Sequence, residues 1–207
     1  MRKVLIFIMA CFLVLALGTC SGNPRVKRVS ADKQIDLSGR WNDTDVRMVC
    51  ESLIKDCLAS PQVARFIDQY ASQNGGRRPA CLVGTFRNDS SEHIDTSIIT
   101  ITMESTIVNS GKLDFVAGGD TRQELREERQ DQQINASEET AAALGYETGA
   151  RLMLTGSVKS IVDQAGRTSV RSYFVNAELT NVETNARLWM GSNNEIKKVI
   201  QQPNYRL

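Results

Sequence analysis

The residues of this sequence best suited to nucleophilic or metal chemistry are few: five cysteines and one histidine. His93, in "SSEHIDT", falls at the start of a predicted helix. No nucleophile or metal cluster stands out beside it, so it reads as a polar loop or cap residue. The patterns GxSxG, HExxH and GxxxxGK[ST] are absent, which removes the common hydrolase, zinc-protease and phosphate-loop signatures. Acidic residues are plentiful, and none is singled out as half of a catalytic pair. Cys50 and Cys57 sit seven apart on one predicted helix, about 10 Å along its axis, too far for a disulfide. With Cys81 they make an odd set without CxxC, which gives no metal framework. All three fall on apolar faces and read as small buried hydrophobes. No catalytic residue, metal or cofactor is expected.

Cys20 stands in a different setting. Arg2 and Lys3 form a short basic start, and Val4 to Leu17 is an unbroken apolar run of 14 residues. That length suits the apolar region of a secretory signal and falls short of the ~20 residues that span a bilayer. A buried N-terminal helix would show a polar face, and this run has none. Leu17-Gly18-Thr19-Cys20 resembles the bacterial lipobox, where cleavage precedes the cysteine and leaves it acylated as the new first residue. Thr19 departs from the small residue usual before the cysteine, and Cys11 would leave with the signal. Two acyl chains at about 0.8 kcal/mol per buried methylene are enough for stable anchoring. Residues 1–19 are thus expected to be a lipoprotein signal peptide and Cys20 the lipid attachment site.

The elements beyond Cys20 begin with a tether. Residues 21 to 35, "SGNPRVKRVSADKQI", are polar, with Gly, Pro and four basic residues; extended, they reach about 50 Å. The basic residues could also lie on anionic headgroups. Residues 36–207 then suit one domain with a proper core. The whole chain carries a formal charge of +1, and loss of Arg2 and Lys3 leaves it near neutral. That disfavours a nucleic-acid binder held by a broad basic field.

Along the domain, Asn42 is a good helix N-cap with Asp45 three residues on, and Trp41 is placed to staple onto Val46. Val46, Val49, Cys50, Leu53, Ile54 and Cys57 recur at three and four, a single buried stripe. Val63, Phe66, Ile67 and Tyr70 mark a second helix that stops before Gly75-Gly76. "ACLVGTF" reads as a buried strand. Ile94 to Val108 is ambiguous by propensity, and its length and the "NSG" stop favour helix. "LDFVAGG" is a short strand. Leu152, Leu154, Val158 and Val162 alternate with polar residues, and Tyr173, Val175, Ala177 and Leu179 face inward on the return. "NVETNA" turns again into "RLWMG". The class is α+β, a mixed sheet with a C-terminal antiparallel meander packed against helices.

Five stretches, "DLSGRWNDTD", "VGTFRNDSSEHIDT", "SGKLDFVAGG", "ELREERQDQQINASEETAAALGYETGA" and "LTNVETNARLWMG", resemble LpoB-type proteins in order and spacing over about residues 36 to 200. Those are lipoproteins of the bacterial outer membrane that activate class A penicillin-binding proteins, the bifunctional peptidoglycan synthases. The resemblance implies a fold like the N-terminal domain of TolB. It further implies a non-catalytic regulator of cell-wall synthesis, anchored in the outer membrane with its domain in the periplasm. Its partners would be a class A penicillin-binding protein and the membrane, with no nucleic acid and no small-molecule substrate. Ser21 after the lipid cysteine agrees with outer-membrane sorting. Some relatives have a much longer tether. The alternatives are an envelope-assembly or structural lipoprotein serving another complex, and, disfavoured by the missing motifs, an enzyme acting on cell-wall material.

Two surfaces are candidates for the partner contact. In "TRQELREERQDQQ", Arg122, Arg126 and Arg129 share one helix face while Glu124, Glu127, Glu128 and Asp131 share the other. Like charges at these spacings repel by a few tenths of a kcal/mol, so the helix must gain stability elsewhere. The arginines either pair with the protein's own loops and solvent or meet an acidic partner surface. Phe174 and Trp189 form the second candidate, since alternation places both on the outer sheet face near Met153 and Ile161. A sheet covered on both sides would instead bury them.

Overall fold

The computed structural model describes residues 26–30, 33–142, 145 and 147–203. The chain divides between Lys33 and Gln34 into two units. In the first, residues 26–30 are exposed and without regular secondary structure. The second carries the fold.

Helix α1, Asp43–Ala59, begins where Asn42 accepts the Asp45 backbone N–H and the Asp45 carboxylate accepts the Asn42 N–H, a complete capping box. Its stripe of Val46, Val49, Cys50, Leu53, Ile54 and Cys57 is buried as the spacing requires. Ser60 ends it, and Pro61 opens helix α2, Pro61–Gln73, at a position where no N–H is needed. Helix α3, Thr96–Ser110, follows strand β1, Ala80–Asn88. It is helical despite its β-branched content for two reasons. Asp95 caps it and Gly111 closes it in the left-handed conformation, φ 63°. The Thr100, Thr102 and Thr106 hydroxyls also donate to carbonyls one turn back, which satisfies them without leaving the helix.

Strand β2, Asp114–Phe115, and helix α4, Gly119–Asn135, lead to the C-terminal strands β3, Leu152–Ala165, β4, Thr168–Asn181, β5, Arg187–Asn193, and β6, Lys197–Gln201. The sheet order is β2-β1-β3-β4-β5, with β6 paired to β4 at the far end. β1 is parallel to β2 and β3, and the remaining pairs are antiparallel. The α+β class and the meander are as the sequence reads. β6 is an addition that the sequence pattern did not announce.

One face of the sheet is dry. Cys81, Val83, Phe86, Leu152, Leu154, Val158, Tyr173, Val175, Ala177 and Leu179 are buried against α1 and α3. The alternate positions turn the other way. Val162 belongs to the inner parity but is 45% exposed, because the end of the β3–β4 ribbon runs beyond the helices.

Trp189 corrects the alternation argument. Leu179 pairs with Trp189 while Thr180 pairs with Arg187, so Leu188 is an extra residue on β5. A bulge of this kind breaks period two. Leu188 and Trp189 are therefore both buried, and the indole N–H donates to Asp56 of α1 at 2.9 Å. Trp189 is core, not outer face.

Candidate functional site

The arginine stripe on α4 is occupied by its own chain. Arg126 Nε and Nη2 grip the two Glu147 oxygens at 2.9 and 3.1 Å, and Arg129 Nη1 shares one of them at 2.9 Å. Arg122 Nε donates to the Ala117 carbonyl at 2.9 Å. The Arg126 hydrogen bond, with Arg129 behind it, draws the Glu147 carboxyl down to about 2. Of the two readings of this stripe, the structure displays the one in which a loop of the same protein supplies the acid. α4 buries none of its residues, and Leu125 remains 45% exposed. These contacts with the 147 loop are what the repelling charges on the helix needed.

The outer sheet face is the more open surface. Phe174, Asn176 and Glu178 on β4 point away from the buried Tyr173, Val175 and Ala177. Across the ladder Phe174 meets Lys159, Ser172 meets Ile161, Glu178 meets Met190, and Val170 meets Val199. Phe174 is half-buried, whereas Ile161, Met190 and Val199 are 60%, 64% and 63% exposed. Among the described residues, the main contacts of helices with the sheet are those of α1 with β4 and β5, α2 with β5, and α3 with β1 and β2. Arg87, Thr155, Ser157, Asn176, Glu178 and Met190 surround a pocket of about 130 Å³, room for part of one side chain. Gly84 lies over Thr155 and Met153, and a Cβ there would come within 3.0 Å of the Thr155 methyl. Apolar side chains among polar neighbours with a small recess match the anatomy of a protein-contact surface.

Two polar clusters sit where sequence reasoning gave no warning. Glu92 accepts Tyr173 Oη–H at 2.6 Å, Arg171 Nη1 at 2.8 Å and the Trp41 backbone N–H at 3.3 Å. Trp41 meets Tyr173 edge-on, ring centroids 5.2 Å apart. Burial and the Glu92 carboxylate together push the Tyr173 phenol well above its usual range. Arg171 Nε and Trp41 Nε1 are buried without a partner among the described residues. In the second cluster, Lys198 Nζ donates to Asp45 Oδ2 at 2.6 Å, Asp36 Oδ1 at 2.8 Å and the Arg40 carbonyl at 2.9 Å. It thereby ties β6 to the α1 cap and to the segment before it. Both clusters join residues more than 75 positions apart in sequence, so no local spacing could reveal them.

The chemical residues behave as packing. Cys50, Cys57 and Cys81 are free and buried, and burial pushes each thiol up to about 12, far from a reactive thiolate. His93 is exposed. Among the described residues no group of His, Cys, Asp and Glu could hold a metal, and no helix is long and apolar enough to cross a membrane. Cys20 lies outside the described residues.

Comparison with solved structures gives several low-identity likenesses. The LpoB C-terminal domain from Salmonella enterica is 19% identical, covering 71% of this chain and 99% of that one, with a TM-score of 0.34. The corresponding Escherichia coli domain is 18% identical over 66% and 96%, TM-score 0.36. The NMR structure of E. coli LpoB is 16% identical over 90% and 85%, TM-score 0.41. No curated protein matches the sequence. The family described as peptidoglycan-synthase activator LpoB matches residues 45–195, from the first turn of α1 to just past β5. Its span takes in the whole helical layer and five of the six strands, and the chain belongs to the LpoB family of peptidoglycan-synthase activators.

Proposed function

We propose that this protein is a lipoprotein of the bacterial outer membrane, anchored through acylated Cys20, that binds a class A penicillin-binding protein in the periplasm and activates it. It does no chemistry of its own. The family match across the folded unit supports this reading, and so does the basic-apolar-Cys20 pattern at the start of the chain. A regulator without chemistry activates only by binding the active conformation of its partner more tightly than the inactive one. The outer sheet face, with Phe174 between Ile161 toward one end of β4 and Met190 toward the other, is the contact surface. It offers apolar area that the fold leaves uncovered, while on α4 Arg126 and Arg129 are already engaged with Glu147 and Arg122 with the Ala117 carbonyl.

The test is direct. Residues 21–207, made without lipid, should bind a purified class A penicillin-binding protein and raise its glycan polymerisation, its peptide cross-linking, or both. Phe174→Ala should weaken that stimulation by about tenfold or more, the scale of a lost interface anchor, while circular dichroism and thermal unfolding stay close to the parent. No stimulation by the parent chain would overturn the proposed activity; full stimulation by Phe174→Ala would move the contact elsewhere. Mass spectrometry of the protein from membranes should find Cys20 as an acylated N-terminus, and an unmodified Cys20 in the intact chain would overturn the anchor.

A further inference from the structure

Charge is divided unevenly beyond Cys20. Residues 21–35 carry four basic side chains and one acidic, whereas residues 36–207 carry 19 basic and 23 acidic. No acid lies between Cys20 and Asp32, a span that holds Arg25, Lys27 and Arg28. Lys27, Arg28 and Lys33 are exposed and form no ion pair among the described residues. Val26 and Val29 flank the Lys27-Arg28 pair and are 92% and 46% exposed. Residues 26–30 have no regular secondary structure. Cations with exposed apolar residues beside them suit a surface that is anionic outside and apolar beneath.

We infer that residues 26–29 are a second membrane contact, in which Lys27 and Arg28 lie on anionic phospholipid headgroups and Val26 and Val29 enter the headgroup boundary. The location rests on the proposed Cys20 anchor. Lys27 is seven residues from Cys20, so an acylated Cys20 holds it within about 25 Å of the bilayer when extended and about 15 Å as a coil. The headgroups are then met at high local concentration, with no separate encounter to make. An acidic protein surface would pair the cations, but it offers the two valines an apolar contact only where one is built in at the matching spot. A bilayer supplies both at every point. The acidic balance of residues 36–207 confines the attraction to the tether. A tether held in this way keeps free only the six residues from 30 to 35, about 20 Å extended against about 50 Å for the whole. Salt and lipid charge thereby set the length of tether that is free.

Vesicle flotation tests it on residues 21–207 without lipid, at about 50 mM salt and with lipid up to about 10 mM. Vesicles half phosphatidylglycerol and half phosphatidylethanolamine should bind the parent chain at least tenfold more tightly than vesicles of phosphatidylcholine, and about 0.5 M salt should release it. Lys27→Gln with Arg28→Gln should weaken binding about 25-fold, at about fivefold per basic residue. Circular dichroism should not change, because both side chains are in water. Val26→Ser with Val29→Ser should weaken binding severalfold and leave its salt dependence as it was. Equal partition into both kinds of vesicle, no partition into either, or a glutamine variant that binds like the parent overturns the inference. Full binding by the serine variant overturns its apolar half. If the glutamine variant keeps its vesicle binding but loses synthase stimulation, the cations serve a protein and the inference also fails. The chain tested lacks Cys20, so this result stands or falls separately from acylation.

Discussion

Lys198 illustrates how much one side chain decides here. Its three donors are matched to three acceptors on the segment before α1 and on the α1 cap, and its side chain is 9% exposed. Burial works against its charge, yet the hydrogen bonds and charges of Asp36 and Asp45 outweigh it and hold the ammonium above its ordinary range. Asp45 shows the other side of the same contact. Burial raises its carboxyl more than Lys198 and the Asn42 N–H lower it. Its folded value therefore lies above the unfolded one, so its contribution favours folding at low pH and is lost as pH rises. Lys198→Met should leave Asp45 ionised, buried and short of its partner at pH 7, costing about 3 kcal/mol. The Asp45 carboxyl should then rise further, and the deficit should shrink as pH is lowered toward 5 and Asp45 takes up a proton. Urea unfolding of both proteins from pH 7 to 5 measures this; a deficit that is flat with pH would show that packing, not charge, holds β6.

At the scale of elements, the sheet is sewn together at places where period two is interrupted. The β5 bulge turns Leu188 and Trp189 inward together. A second irregularity, between Val83 and Phe86 of β1, brings Phe86 opposite Gly156 of β3. Gly156 is needed there for space, since a Cβ would overlap the Asn176 carbonyl oxygen and the Phe86 ring. The carbonyl belongs to the paired strand β4 and the ring is buried, so neither yields cheaply. Gly156→Ala should lower stability by about 2–3 kcal/mol through overpacking, read as a lower urea midpoint with little change in slope. An unchanged midpoint would mean that β1 and β3 slide to make room.

Across the whole molecule, order is unevenly distributed. Helices α1 and α3 and the inner sheet face share one core, whereas α4 buries nothing and is linked to the 147 loop through Glu147. Local opening should follow that division. Amides of α4 should exchange with solvent much faster than those of α1 and β4. Glu147→Gln should speed α4 further at pH 7 while leaving core exchange alone. Glu147 titrates at about 2 against an ordinary 4.5, so its linkage favours the folded arrangement above about pH 4.5. That contribution fades as pH falls from 4.5 through 2. Hydrogen exchange resolved by mass spectrometry distinguishes the segments; equal protection of α4 in parent and variant would show that the helix is held by something other than this carboxylate.

The sequence by itself determined the local pieces. The Asn42–Asp45 cap, the α1 stripe, the Gly111 stop and the alternation of β3 and β4 are written in short spacings, because caps, turns and periodic burial are set by neighbours in the chain. Five stretches also carried the family. Phe174 was placed by alternation, because β4 keeps its period through that position. Only the tertiary structure decided where Trp189 goes, since a bulge is created by pairing register and leaves no sign in "RLWMG". It alone gave the α4 arginines their acid. It also built the Glu92 and Lys198 clusters from residues far apart in sequence, because a buried charge is satisfied by whatever the fold brings within 3 Å and not by what precedes it along the chain.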